Sequence, residues 1–288
     1  MKPFPMPVRV SGPGSQDVDD APGYLPMPHE MSVFRMPVVP DTADTQALAA
    51  ARDVLADFVR SLESWNVERD PYGPTLDVGR LPPAVVEIVN QMLGEGEVSI
   101  VITGSRGARV QESVFTGIWR VCEFDAAGDL TADRLEAAAL PSIAVDTARA
   151  SAAETIVDAA APQGAMNAPA LLREIAAQMR TRRPQGAAHI VNLTLFPLTP
   201  EDHALLERAL PVGPVAMIAR GFGNCRVTST LARDVWRVQY FNNMNTLILN
   251  TIEVVGVPEV ALAAHEDLDD SRSRLAELVD WMSESCDA

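Results

Sequence analysis

Four histidines and three cysteines are the residues of this chain best suited to hold a metal or act as nucleophiles: His29, His189, His203, His265, Cys122, Cys225 and Cys286. None stands at HxxxH, CxxC or HExxH spacing. A zinc site needs three or four converging nitrogen or sulfur ligands, so the spacing predicts no metal and no cofactor. Three scattered cysteines also make no disulfide framework. Cys225 differs in having Arg226 beside it, and a neighbouring cation activates a thiol by favouring the thiolate. The plainer reading of Cys225 is a small buried hydrophobe. "GFGN" at 221–224 has the look of a phosphate loop. It lacks the third glycine of GxGxxG and the GK[ST] of a P-loop, and it leads into a strand. Ser229 and Thr230 have no G-x-S-x-G setting, so nucleophilic catalysis is not indicated.

The composition narrows the function classes. The chain has 288 residues, 47% hydrophobic and 22% charged, with a formal net charge of −16. Such a chain repels nucleic-acid phosphate and anionic membrane surfaces, so neither is an expected partner. The N-terminal "MKPFPMPVRVSGPGS" has no apolar core and is not a secretory signal. The longest apolar run, residues 246–264, contains Glu253, Pro258 and Glu259 and reads as a strand and turn. A cytoplasmic protein with reduced thiols is expected.

The elements that would position these residues come from a repeat. "GIWRVCEFD" at 117–125 returns as "DVWRVQYFN" at 234–242, with Trp119 and Trp236 117 residues apart. Kept without a gap, that offset gives 17 identities over positions 76–144, including Gly96 with Gly213, Gly104 with Gly221, Arg109 with Arg226 and Arg120 with Arg237. Glycine, proline and tryptophan set backbone shape and core volume, so the pattern reads as one domain duplicated in tandem. The expected fold is α+β: residues 1–45 a Pro/Met-rich extension, partly disordered, then 46–160 and 161–288 as two repeats, each a mainly antiparallel sheet covered by helices.

Each repeat has the same order. Amphipathic helices are predicted at 51–65 and 170–182, strands near 72–79 and at 189–196, and helices at 81–93 and 198–210 with Thr199 as N-cap. Buried strands follow at 97–104 and 214–221. Long strands at 108–124 and 225–241 are expected to bend near Gly117 and Asp234. Residues 246–257 read as a strand. The aligned 129–140 looks helical by propensity, but the alignment makes it a strand. A final helix is expected to start near Asp270 or Ser271.

Gly104, Arg109, Trp119, Arg120, Gly221, Trp236 and Arg237, shared by the two copies, are expected to serve the frame. Arg120 and Arg237 are expected to pair with a carboxylate such as Glu136 or Glu253. Residues special to the second copy are the candidates for partner binding: Cys225, Arg226, Arg233, Asn242, Asn243, Asn245 and Asn250. The asparagines suit a tight turn, since Asn tolerates the left-handed region. They also suit a recognition edge for an extended peptide.

Several stretches carry a family resemblance: "YLPMPHEMSVFRMP", "LGEGEVSI", "QESVFTGIWRV", "CRVTSTLARDVWRVQYFNNMNTLILNTIEV" and "PEVALAAHEDLDDSRSRL". Together they resemble the HupH/HyaF hydrogenase expression/formation proteins, over about residues 24–281. The resemblance implies a non-enzymatic accessory factor in the maturation of a nickel-iron uptake hydrogenase. It also implies the precursor of the iron–sulfur small subunit and a thioredoxin-like accessory protein as partners. It brings no catalytic residues. Three readings stand at this point: a chaperone for the small-subunit precursor, a metal or iron–sulfur carrier (or redox enzyme) using Cys225, and a passive scaffold for other accessory proteins.

Overall fold

The structure is a computed structural model, and it describes residues 45–66, 69–157, 159–183, 186–220, 224–242 and 244–287. The Pro/Met-rich extension and Gly221 lie outside them. The helices are α1 (Thr45–Glu63), α2 (Pro83–Leu93), α3 (Ser142–Ala150), α4 (Ala168–Thr181), α5 (Pro200–Ala209) and α6 (His265–Asp287). The strands of the first half are β1 (Tyr72–Asp77), β2 (Val98–Ile102), β3 (Gly107–Glu112), β4 (Ile118–Phe124) and β5 (Leu130–Ala138). Those of the second are β6 (His189–Asn192), β7 (Val212–Ala219), β8 (Asn224–Thr230), β9 (Val235–Phe241) and β10 (Leu247–Val254).

These strands make one ten-stranded sheet, ordered β1-β5-β4-β3-β2-β7-β8-β9-β10-β6. Every neighbouring pair is antiparallel. Instead of a separate sheet in each half, β2 and β7 pair at the centre, from Val98 opposite Ala219 to Ile102 opposite Val215. Read outward from that joint, the two halves have the same strand order. Trp119 on β4 and Trp236 on β9 hold matching places, and their indole N–H groups donate to Ala138 O at 2.9 Å and Gly256 O at 3.1 Å.

Side chains alternate between sheet faces along a strand, and the cores follow that alternation. On one face, Ile100, Val110, Trp119, Val121, Met217, Val227, Trp236 and Val238 form a core spanning both halves, roofed by Ala144, Val145 and Ala148 of α3. On the opposite face Ile118, Leu135 and Ala137 pack under α1, α2 and α6. On that same face Val191, Val235, Ile252 and Val254 pack under α4 and α5. Helix α1 buries Leu48, Ala51, Leu55, Phe58, Val59 and Leu62 at three- and four-residue spacing, the stripe a surface helix needs. Helix α6, last in the chain, lies along α1 in the first half.

Three local expectations change, and a fourth holds. Residues 108–124 and 225–241 are not long bent strands: each reverses into a hairpin, β3–β4 and β8–β9. Gly117 (φ 79°) and Asp234 (φ 56°) supply the left-handed residue at the reversals. Any side chain at Gly117 would also strike Leu268 of α6, whose Cδ2 lies 1.9 Å from where a Cβ would stand. The strand expected at 189–196 ends at Asn192, where a short 3-10 turn (Leu193–Leu195) takes over; Asn192 Oδ1 accepts from Thr194 N at 3.0 Å. Helix α6 begins at His265, earlier than its acidic residues indicate. Residues 130–138 are strand, as the alignment required: pairing between β1 and β4 overrides helix propensity.

Asp202 joins α4 to α5. It stands three residues after the N-cap Thr199 in a reciprocal capping box. Its Oδ2 accepts from Thr199 N at 3.1 Å, and its Oδ1 accepts from Met166, Asn167 and Ala168 N at 2.8, 3.0 and 2.9 Å. Burial alone would raise this carboxyl's pKa, but the four N–H bonds outweigh it and hold it below the usual carboxylate range. The stability it contributes is present above the unfolded-state pKa and is lost as pH falls through the lower folded one. Asp202→Ala should cost about 2–4 kcal/mol at pH 7. Urea titrations at pH 7 and pH 3 should show the gap from wild type narrowing in acid.

Glu112 has the opposite sign. It is buried, its Oε1 accepts from Gly117 N at 3.1 Å, and desolvation pushes its pKa up to about 7 despite that bond. Below the unfolded-state pKa the carboxyl is neutral in both states. Between there and about pH 7 only the unfolded state ionises, so stability falls as pH rises through this window. Glu112→Gln should flatten that slope and exceed wild type by on the order of 1–3 kcal/mol at pH 8, as read by denaturant midpoints across pH 4–8.

Candidate partner-binding site

The second-half residues singled out by sequence fall into three places. Cys225 is on β8, facing the central core with Val227 and Trp236. Arg226, its neighbour in sequence, points to the other face, because adjacent strand residues do. There its guanidinium stacks on Phe241 at 4.8 Å, as Arg109 stacks on Phe124 at 5.6 Å in the first half. The cation that made Cys225 look activated is therefore across the sheet. Burial pushes the Cys225 thiol up to about 11, against a hydrogen bond with Tyr240 that lowers it. Cys225 stays a thiol at neutral pH.

Arg233 sits in the β8–β9 reversal and pairs with Glu154, while its N–H donates to Ala153 O at 2.8 Å. Beside it Asp234 is held by Arg182 at 2.6 Å and by Arg149 of α3 at 3.4 Å. This corner ties the first half's last helix to the second half's hairpin.

The asparagines lie along the β9–β10 hairpin; Asn243 is outside the described residues. Asn242 Oδ1 accepts from Met244 N and Thr246 N, both at 2.9 Å. Asp125 does the same in the first half, accepting from Ala127 N at 2.8 Å and Asp129 N at 3.0 Å. Asn245 takes the left-handed position (φ 57°) that Gly128 takes there (φ 89°), and its Oδ1 accepts from Asn224 Nδ2 at 3.2 Å. Asn250 is buried, accepts from Arg237 Nε at 3.1 Å, and donates its backbone N–H to Thr194 Oγ1 at 2.9 Å. Asn242, Asn245 and Asn250 thus each hold part of the hairpin or sheet.

The frame arginines use partners other than Glu136 and Glu253. Arg120 Nη2 donates to Asp133 Oδ2 at 2.6 Å, and the same side chain reaches Asn90. Arg237 meets Asn250, the position matching Asp133. Glu136 instead accepts from Ser142 N at 2.8 Å and pairs with Arg134 at 3.3 Å. Glu253 is buried beside Thr251 at 3.3 Å.

What sequence reasoning passed over is the outer side of β10. Strand β6 pairs only with Thr251–Val254. Ahead of that, Asn250 is met by the 3-10 turn, and Leu247–Leu249 have no outer strand neighbour among the described residues. Ile248 (56% exposed), Leu195 (77%) and Met244 (82%) stand along this border. The shortness of the strand-like run before Pro197 was the available signal. Among the described residues no group of three His, Cys, Asp or Glu residues is placed to hold a metal ion. His189 accompanies Glu174 at 2.7 Å, and His203 lines a cavity under α5.

The Cys225 geometry has a direct test. In native protein at pH 8, iodoacetamide should modify Cys225 on the order of 100-fold more slowly than in urea-unfolded protein. Peptide mass mapping over time measures this, and equal rates would show an accessible thiolate.

Comparison with known proteins gives the chain its relatives. The model of the family described as "HupH hydrogenase expression protein, C-terminal conserved region" matches twice, at residues 48–161 and 165–282. The hydrogenase expression/formation protein HoxQ of Cupriavidus necator is 40% identical over 283 residues, covering 98% of this chain and 99% of its own. HupH of Rhizobium leguminosarum is 43% identical over 208 residues, 72% of this chain and 73% of its own. The hydrogenase-1 operon protein HyaF of Escherichia coli is 31% identical over 284 residues, 96% of this chain and 97% of its own. With its sheet, its two matched regions and these relatives together, the chain belongs to the HupH/HyaF family of hydrogenase expression/formation proteins.

Proposed function

We propose that this chain is a non-enzymatic assembly factor for a nickel-iron uptake hydrogenase. In this reading it holds the iron–sulfur small-subunit precursor in the cytoplasm before export, with a thioredoxin-like accessory protein as a second partner. The observation that carries the reading is family membership over nearly the whole chain, with relatives named for hydrogenase expression and formation. Two geometric features favour holding over cluster donation. Cys225 is buried and protonated, a poor state for a soft metal ligand. The outer side of Leu247–Leu249, flanked by Ile248, Leu195 and Met244, offers backbone groups and apolar side chains to an extended client segment. No helix among the described residues is long and apolar enough to cross a membrane.

We infer also that the two halves descend from one duplicated domain. The twice-matched family model, the shared strand order, the paired tryptophans and the two Arg–Phe stacks support this.

The test is co-purification from hydrogenase-producing cells kept anaerobic. Tagged wild type should retain the small-subunit precursor. Ile248→Asp with Leu195→Asp should reduce the retained precursor roughly tenfold with an unchanged melting temperature. Absence of the precursor from the wild-type eluate would sink the holding role. Full retention by the double variant would move the surface away from β10.

A further inference from the structure

The two faces of the central strands are covered differently. On one, α3 lies against β2 and β7 and roofs the shared core. On the other, helices stand toward the margins: α1 against β1, and α4 against β6 and β10. Between them the register sets Arg109, Val101, Ala216 and Thr228 in one row across β3, β2, β7 and β8. Gln111, Ser99, Ile218 and Arg226 make the next row. Val101, Ala216 and Ile218 are half-buried and belong to none of the three cores. Arg109 and Arg226 stand at diagonal corners of this strip, stacked on Phe124 and Phe241. Among the described residues neither is paired with a carboxylate. In a chain of net charge −16, two such cations beside apolar side chains fit an occupant that is both acidic and apolar.

We propose that residues 17–31 of this same chain lie across the strip, as a strap over β2 and β7. These residues are outside the described part of the chain. Their sequence, "DVDDAPGYLPMPHEM", carries Asp17, Asp19, Asp20 and Glu30 and no lysine or arginine. The carboxylates complement Arg109 and Arg226. Tyr24, Leu25, Met27 and Met31 are the apolar side chains that Val101 and Ile218 would take from water. Pro22, Pro26 and Pro28 favour an extended backbone and lack N–H groups, so the segment suits a face of side chains and not pairing along an edge.

The reach is sufficient. Helix α1 begins at Thr45 and packs on this same face, over Ile118, Leu135 and Ala137 of β4 and β5. Strands β2 and β7 are the second and third from β4, about 10–15 Å away at ordinary strand spacing. The residues from Met31 to Thr45 span up to about 45 Å when extended, which is ample even if the full length of α1, about 28 Å, must be retraced. The strap is independent of the β10 border and of the identity of any client.

Photo-cross-linking in the full-length chain tests this placement. Benzoylphenylalanine is placed at Tyr24 or at Met27, dilute protein is irradiated, and the joined peptides are mapped by mass spectrometry. Links should form within one chain, to peptides holding Val101 or Ile218. Asp17→Asn, Asp19→Asn and Asp20→Asn together should lower their yield about fivefold, with an unchanged melting temperature. High salt should lower it in the wild type. Arg109→Glu with Arg226→Glu should remove the links. Asp17→Lys, Asp19→Lys and Asp20→Lys should restore them in that background, which a folding defect would not allow. The proposal is overturned if the main links run to the β6–β10 border or to a second chain, or if neither position links to β2 or β7. It is equally overturned if the triple asparagine variant keeps the yield within about twofold of wild type, because charge would then not seat the strap.

Discussion

Everything else in this fold depends on the antiparallel pairing of β2 with β7. Without it each half would be a five-stranded sheet with two open edges, one of them a strand of buried-type residues. With it, Ile100 and Ile102 lie directly opposite Met217 and Val215, all of them buried. Fully burying four such side chains contributes about 1.5–3 kcal/mol each, before the entropy of ordering them. The joint also explains α3. That helix leaves the first half after β5 and lies against β7 as well as β2, roofing the core that both halves share. Arg149 at its end then reaches Asp234 in the second half, where Arg182 arrives from α4. An apolar joint at the centre and an ionic corner beside it fix one half on the other.

The same joint decides which edges remain. Once β2 and β7 meet, β1 and β6 become the outer strands. Strand β1 spans six residues against β5, whereas β6 spans four against β10 and gives way to a turn. The protein therefore has one well-covered edge and one short-covered edge. Edge strands with accessible backbone groups attract other chains unless something blunts them. Here the partial cover is Thr194, whose hydroxyl takes the Asn250 N–H.

The matching order of elements in the two halves was readable in the sequence because it rests on residues that set backbone and volume. Gly96 and Gly213 show why: a Cβ at either would stand 2.2 Å from Ser113 O or 2.5 Å from Ser229 Oγ, so neither place admits another residue. The elements were readable for the same reason, down to β5, whose helical propensity gave way to pairing on both sides. What could not be read was anything set by the third dimension. Adjacent residues on a strand look like neighbours in a sequence, yet Cys225 and Arg226 face opposite sides of the sheet. Two strands joined by a short turn look like one long strand until Gly117 or Asp234 turns the chain back. The carboxylate chosen by Arg120 is Asp133, across the β4–β5 ladder, and nothing at that separation distinguishes it from Glu136. The single sheet itself was hidden, because a strand with apolar residues on one face reads alike at an edge and at a centre.

A strand order shared by both halves also changes how differences between them should be weighed. Asn242 and Asn245 differ in type from Asp125 and Gly128, yet they make the same turn with the same backbone bonds. A change of residue type alone is therefore weak evidence of a second job. Asn250 and Thr228 are different, since they alter what surrounds an arginine kept in both halves. Keeping a buried cation costs desolvation energy wherever it sits. In the first half Asp133 offsets that cost directly, and its carboxylate and Asn90 fill the space around the guanidinium. In the second half the cation is retained, and the place of that carboxylate holds the Asn250 amide, whose Oδ1 accepts from Arg237 Nε at 3.1 Å. Only changes of that kind, which leave the frame standing and alter its chemistry, separate a residue's structural duty from a functional one.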